Sequence, residues 1–270
     1  MGTTTRTTSR YGWIPDLPDA RDHLFAAPMA TLGALPASVD LRKYCPATVY
    51  DQGRIGSCTA NAIAGAFEFD LARQALSDFM PSRLFIYYNE RSIEGHVHTD
   101  AGAMIRDGIK SVAKLGVCSD GAWPYDDTPP VVEGGTWPKT SAAGKKPPRP
   151  CYTSAKGNEA LAYQRVVRSL AQFKGCLASG YPFVFGFTVY ESFESAQVAA
   201  TGVVPMPAST EAALGGHAVL AVGYDDSTSR FLVRNSWGPG WGMGGYFTMP
   251  YAYLTDSGLS QDFWTIHTVS

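Results

Sequence analysis

The sequence is short of charge. Only 17% of its 270 residues are Asp, Glu, Lys or Arg, against about 25% in an average soluble domain. The two signs nearly cancel, with 22 Lys and Arg facing 24 Asp and Glu for a net charge of −2. A nucleic-acid binder shows a basic excess or stripe, so nucleic acid is excluded as the default partner. No apolar run approaches the ~18 residues of a membrane span. No apolar stretch follows the Thr-rich start, Met1–Arg10. The sequence as given therefore carries no secretory signal peptide, which points to a reducing compartment or to export by another route. The five cysteines, Cys45, Cys58, Cys118, Cys151 and Cys176, include no close pair of the metal or redox kind. His96-Val97-His98 with Asp100 has a metal-like composition but no further matching cluster, so it reads as a solvated loop. No metal and no cofactor is expected.

What is present is turn-rich and aromatic: 28 Gly, 18 Pro and 12% aromatic residues. The length fits one large domain or two modest ones. Residues 1–35 differ from the rest. Gly12-Trp13-Ile14-Pro15-Asp16-Leu17-Pro18 is stiffened by its prolines and should run extended or in turns. It reads as an arm packed on the body. A helix is expected from Cys58 to about Leu76, with Ile63, Phe67 and Leu71 as a buried stripe and Ser57 as its cap. Two more are expected over Pro81–Arg91 and Ala103–Leu115, the latter stopped by Gly116. Residues 126–150 hold six prolines and three glycines and read as a long loop. A helix is expected around Ala160–Ala178. Short apolar runs then follow at Phe183–Tyr190, His217–Tyr224, Phe231–Arg234, Tyr246–Met249 and Phe263–Thr268, and these read as strands of an antiparallel sheet. The result is a helical half followed by a β half, an α+β chain.

Three stretches carry chemistry. Asp51–Cys58 is a loop with two glycines that delivers a cysteine to a helix start. A helix N-terminus favours a thiolate, and its unpaired N–H groups can donate to a developing oxyanion. Gln52 adds a side-chain amide donor in the same loop. His217 stands behind Gly215-Gly216 at the mouth of an apolar strand, where it can exchange a proton with a thiol. Asn235 ends a strand 18 residues later, a distance that suits a hairpin partner. Its side-chain oxygen can hold one imidazole nitrogen, and Trp237 can shield that bond.

Together these stretches resemble the papain family of cysteine peptidases. The matches are D-Q-G-x-x-G-S-C at Asp51–Cys58, G-H-A-V-x-x-V-G-Y at Gly216–Tyr224 and N-S-W-G-x-G-W-G at Asn235–Gly242. Val39-Asp40 with Arg42 is similar to the start of a mature papain-type chain. The resemblance implies a two-domain fold, with a helical left domain, an antiparallel β-barrel right domain and the cleft between them. The catalytic domain would span 36–270, its helical half about 36–125 and its β half about 151–270. It implies Cys58 as nucleophile, His217 as proton partner, Asn235 as the group orienting His217, and Gln52 as oxyanion donor. The reaction would be endopeptidase hydrolysis through an acyl-thioester on a polypeptide substrate, by a monomer.

The chain departs from the family pattern at Ile55, where a cysteine is usual, at Thr59, where tryptophan is usual, and at Ala101-Gly102, where the cleft wall is usually Gly-Gly. It looks more like bacterial or viral members. Gly102, Ala101, Gly216, Trp237 and Asp262 are the expected substrate-binding residues. Asp262, at the floor of the second specificity pocket, would favour Arg or Lys beside the cleaved residue. The arm, 1–35, is either a short inhibitory propeptide lying across the cleft or a permanent structural element. A thiol acyl transferase or isopeptidase on the same fold, and an inactive binding module, are the alternative functions.

Overall fold

The computed structural model describes residues 11–132 and 135–270. The tail Met1–Arg10 lies outside the described residues. In chain order the elements are β1 (Leu24–Phe25), α1 (Met29–Leu32), β2 (Ser38–Asp40), α2 (Cys58–Arg73), α3 (Arg83–Glu94), α4 (Ile105–Leu115), α5 (Arg149–Ala155), β3 (Ala160–Val166), α6 (Leu170–Ala178), β4 (Phe183–Tyr190), α7 (Ala196–Thr201), β5 (Ala213–Asp225), β6 (Arg230–Arg234), β7 (Tyr246–Pro250), α8 (Tyr251–Thr255) and β8 (Ser260–Val269).

The strands form one sheet in the order β1-β3-β8-β4-β5-β6-β7, with β2 on β5. All pairs are antiparallel except the short β1–β3 pair. The path is open among the described residues rather than closed into a barrel. Strand β4 lies between β8 and β5, so its run Phe183-Val184-Phe185-Gly186-Phe187 is buried throughout. This is why it shows no apolar–polar alternation. Phe173, Phe183, Phe185 and Phe263 pack ring to ring in that core.

Helix α2 touches α3 and α4 on one side and β4, β5 and β8 on the other. It occupies the seam, and every residue from Cys58 to Leu71 is buried. The expected single stripe is therefore wrong in kind: a helix wedged between two layers has no solvent face. Residues 160–178, read as one helix, divide into strand β3 and helix α6. Pairing with the C-terminal strand β8 outweighs local propensity over Ala160–Val166, and the Ser169 side chain caps the helix that follows by accepting from Gln172 N–H.

Arg91 holds the helical side together from within. It is fully buried and donates to the carbonyls of Tyr87 (3.0 Å), Val97 (3.3 Å), Thr99 (3.0 Å) and Ala143 (2.6 Å). It thus ties the 96–100 loop and the Pro-rich loop to α3. Removing it strands several buried carbonyls at once. Arg91→Ala should cost about 3 kcal/mol and lower the midpoint of thermal unfolding by roughly 6–12 °C, read by circular dichroism.

Candidate active site

The loop before α2 is pinned on both flanks. Gln52 N–H donates to Ser236 O (2.8 Å) and Gly238 N–H to Tyr50 O (2.9 Å), tying it to the turn after β6. Asp100 receives the Gly56 N–H (3.0 Å) and the Tyr87 hydroxyl (2.5 Å). The carboxylate that gave 96–100 its metal-like look is thus a loop anchor. Cys58 becomes the first residue of α2 and is completely buried. Ser57 precedes it but makes no side-chain cap. Its hydroxyl pairs with Tyr125 Oη (2.6 Å) and accepts from Asn61 Nδ2 (3.0 Å). Thr59, at the position where the family pattern has tryptophan, donates to the buried Glu90 (2.7 Å).

His217 projects from β5, opposite Phe187 of β4. Its Nε2 bonds Asn235 Oδ1 at 2.8 Å. That oxygen also accepts the Ser236 N–H (2.8 Å), which fixes it as the acceptor end of the amide. Nε2 therefore carries the proton, and Nδ1 makes no hydrogen bond among the described residues. Trp237 stacks on the imidazole at 5.0 Å between centroids and 27° between planes, and is itself buried. The backbone N–H of Ala218, the residue after His217, acts on the Cys58 sulfur and favours its charged form. Gln52 is fully buried. Its Oε1 accepts from Ser236 Oγ (2.8 Å) and its Nε2 donates to Ile55 O (3.2 Å), which orients the amide N–H side toward the cysteine loop. The four residues that motif spacing singled out converge on one site.

The arm runs through that site. Trp13 N–H donates to Gly216 O (2.9 Å), Ala103 N–H to Gly12 O (2.7 Å) and Ile14 N–H to Ala103 O (3.0 Å). Gly12 N–H reaches the Cys58 sulfur. A Cβ on Gly12 would lie 1.6 Å from Gly56 O, so only glycine permits this approach. Tyr11 sits edge-on to His217 and bonds Glu194. The Trp13 indole lies over Gly186, whose missing side chain makes the room. Its N–H donates to Asp262 (3.2 Å).

Burial sets the electrostatics. It pushes the Cys58 thiol up to about 12, against the three backbone N–H groups that favour the thiolate. It pulls His217 down to about 4, with Asn235 opposing. Both groups are neutral near pH 7. Asp16, buried and facing Asp262, is raised to about 6.

Of the expected substrate-binding residues, Gly102 and Gly216 lie against the arm, and Ala101 is exposed beside Gly102. Trp237 faces the histidine. Asp262 is 1% exposed and ion-paired to Arg165 (3.0 Å), so it is not the free carboxylate that an Arg or Lys side chain would need. Sequence reasoning missed Gly12, Ala103, Gly186, Arg106 and Arg165. One signal was present: an isolated glycine inside the apolar run of β4 marks a close approach by another group. All five cysteines are free thiols, and the Cys151 thiol donates to Ala122 O (3.5 Å).

The papain family cysteine protease model matches residues 35–265. Xylellain, a cysteine protease from Xylella fastidiosa, superposes with a TM-score of 0.92 at 49% identity, over 98% of each chain. An uncharacterized peptidase C1-like protein of Acanthamoeba polyphaga mimivirus is 42% identical over 98% of this chain and 89% of its own length. A cathepsin B-like protein of Giardia intestinalis is 31% identical over 82% of this chain and 72% of its own.

Proposed function

Because this chain belongs to the papain family of cysteine proteases, we propose that it is an endopeptidase whose Cys58 is held inactive by its own residues 11–22. Residues 1–35 are the regulatory arm and 36–270 the catalytic unit. The molecule works as a monomer, since one copy supplies every residue of the site.

The observation that carries the chemistry is the 2.8 Å bond from His217 Nε2 to Asn235. It commits one ring nitrogen and leaves Nδ1 for the sulfur. With the arm away, water reaches the pair, and the thiol proton passes to Nδ1. The thiolate attacks the scissile carbonyl carbon. Charge developing on the carbonyl oxygen is met by the Cys58 N–H at the start of α2 and by Gln52 Nε2. The imidazolium protonates the departing amine, leaving an acyl-thioester on Cys58. Water then loses a proton to His217, attacks the thioester carbon, and releases the acid product as the proton returns to sulfur.

The arm is held in that site through its backbone. Gly12 offers its N–H to the sulfur, while its carbonyl oxygen is held by the Ala103 N–H. A thiol-reactive epoxide, incubated with the Gly12→Val chain, should add once, at Cys58, by intact-mass and peptide mapping. The Cys58→Ala variant should stay unlabelled. Labelling spread over Cys45 and the other thiols, with Cys58 spared, would refute the assignment.

A further inference from the structure

Asp262 is the obvious electrostatic feature of the Trp13 pocket, yet it is not the dominant one. The groove beside it also contains two arginines, Arg106 of α4 and Arg165 of β3. Arg165 bonds Asp262 (3.0 Å) and Asp22 of the arm (3.1 Å). The Arg106 guanidinium donates to Leu17 O and to Asp22 (2.7 Å), both on the arm, and its Nε is unbonded among the described residues. Asp16, Asp22 and Asp19 of the arm act on Arg106, as do Asp107 on its own helix and Asp262. The arm thus supplies acidic groups to the groove beyond Trp13. When it leaves, Asp262 and Asp107 stay near the two guanidinium groups, but Arg106 loses both hydrogen-bond acceptors of its side chain and Arg165 loses one of its two.

From this we infer that Arg106 and Arg165 make the groove beyond the Trp13 pocket a site for acidic residues, so that the enzyme selects polypeptides carrying Asp or Glu one or two positions before the residue that fills that pocket. This rests on the reading of the chain as an arm-inhibited peptidase. The physical reason is the pairing of two largely buried guanidinium groups. A substrate carboxylate restores the pairing that Asp22 provided, whereas a lysine restores no acceptor and adds a third cation beside the two arginines. Asp262 does not reverse this, because Arg165 already neutralises it.

The test uses the full chain with Gly12→Val and Asp22→Asn, which frees both cleft and arginines. The probes are fluorogenic peptides Xaa-Xaa-Trp-Gly in which the Xaa pair is Asp-Asp, Asn-Asn or Lys-Lys. The value of kcat/KM should be about 10-fold or more higher for Asp-Asp than for Lys-Lys, and the gap should shrink as salt rises. Adding Arg106→Gln, which leaves the Arg165–Asp262 pair intact, should cut the preference several-fold, and Arg106→Lys should restore part of it. Equal cleavage of all three peptides, or a preference for Lys-Lys, would overturn the inference and assign the arginines to the arm alone. Failure of the epoxide to label Cys58 in the same protein would instead overturn the parent reading, and the inference with it.

Discussion

The full-length Gly12→Val chain should cleave a peptide substrate on the order of 100-fold faster than the unaltered chain. The reasoning is steric and local. The arm passes so close to the cysteine loop that a Cβ on residue 12 would sit 1.6 Å from Gly56 O. That oxygen belongs to a backbone anchored by Asp100 (3.0 Å) and cannot give way cheaply. Expelling Gly12 also breaks its bond to the Ala103 N–H and lifts Trp13 off Gly186 and Asp262. A chain beginning at Pro18 should show the same gain, and it keeps Asp22 with its two arginines. If both proteins hydrolyse peptides no faster than the parent, residues 11–17 are a structural strap and not an inhibitor.

The second large effect concerns Gln52. Its Oε1 is fixed by Ser236 and its amide nitrogen lies against the cysteine loop, bonded to Ile55 O. The donor is therefore oriented before substrate arrives. Deleting such a preorganised donor to an oxyanion lowers kcat by about 10²–10³ with little change in KM. In the Gly12→Val background, Gln52→Ala should show that pattern, and Gln52→Glu should not rescue it, because a carboxylate repels the oxyanion. A loss confined to KM would place Gln52 in substrate binding instead.

How much of this was legible beforehand follows from the range of the forces involved. Cys58, His217 and Asn235 each sit in a short motif whose glycines and tryptophans are needed locally, so each could be read from its neighbours. The strands from β4 onward were legible because their apolar runs are bounded by turn residues. Strand β3 was not, because Ala160–Val166 is held extended by pairing with β8, a hundred residues away. Ser57 was misread as a cap because the competing partner, Tyr125, lies 68 residues away. The partners of Asp262 were not legible: it accepts from the Trp13 indole and pairs with Arg165. The arginine that pairs with it comes from another strand, and no pattern around Asp262 signals that pairing.

The reactivity of Cys58 with iodoacetamide, followed from pH 4 to 10 in the parent and in the Gly12→Val chain, tests the central claim most directly. With the arm docked, the thiol is pushed up to about 12 and the histidine down to about 4. A raised thiol value means the proton is lost only as pH climbs toward it, so at pH 7 Cys58 is almost entirely protonated. Alkylation of the parent should be slow and should accelerate with each step upward in pH. In the variant, hydration lets the thiolate–imidazolium pair form, and reaction should be fast and nearly flat across neutral pH. Superimposable profiles for the two proteins would contradict the account.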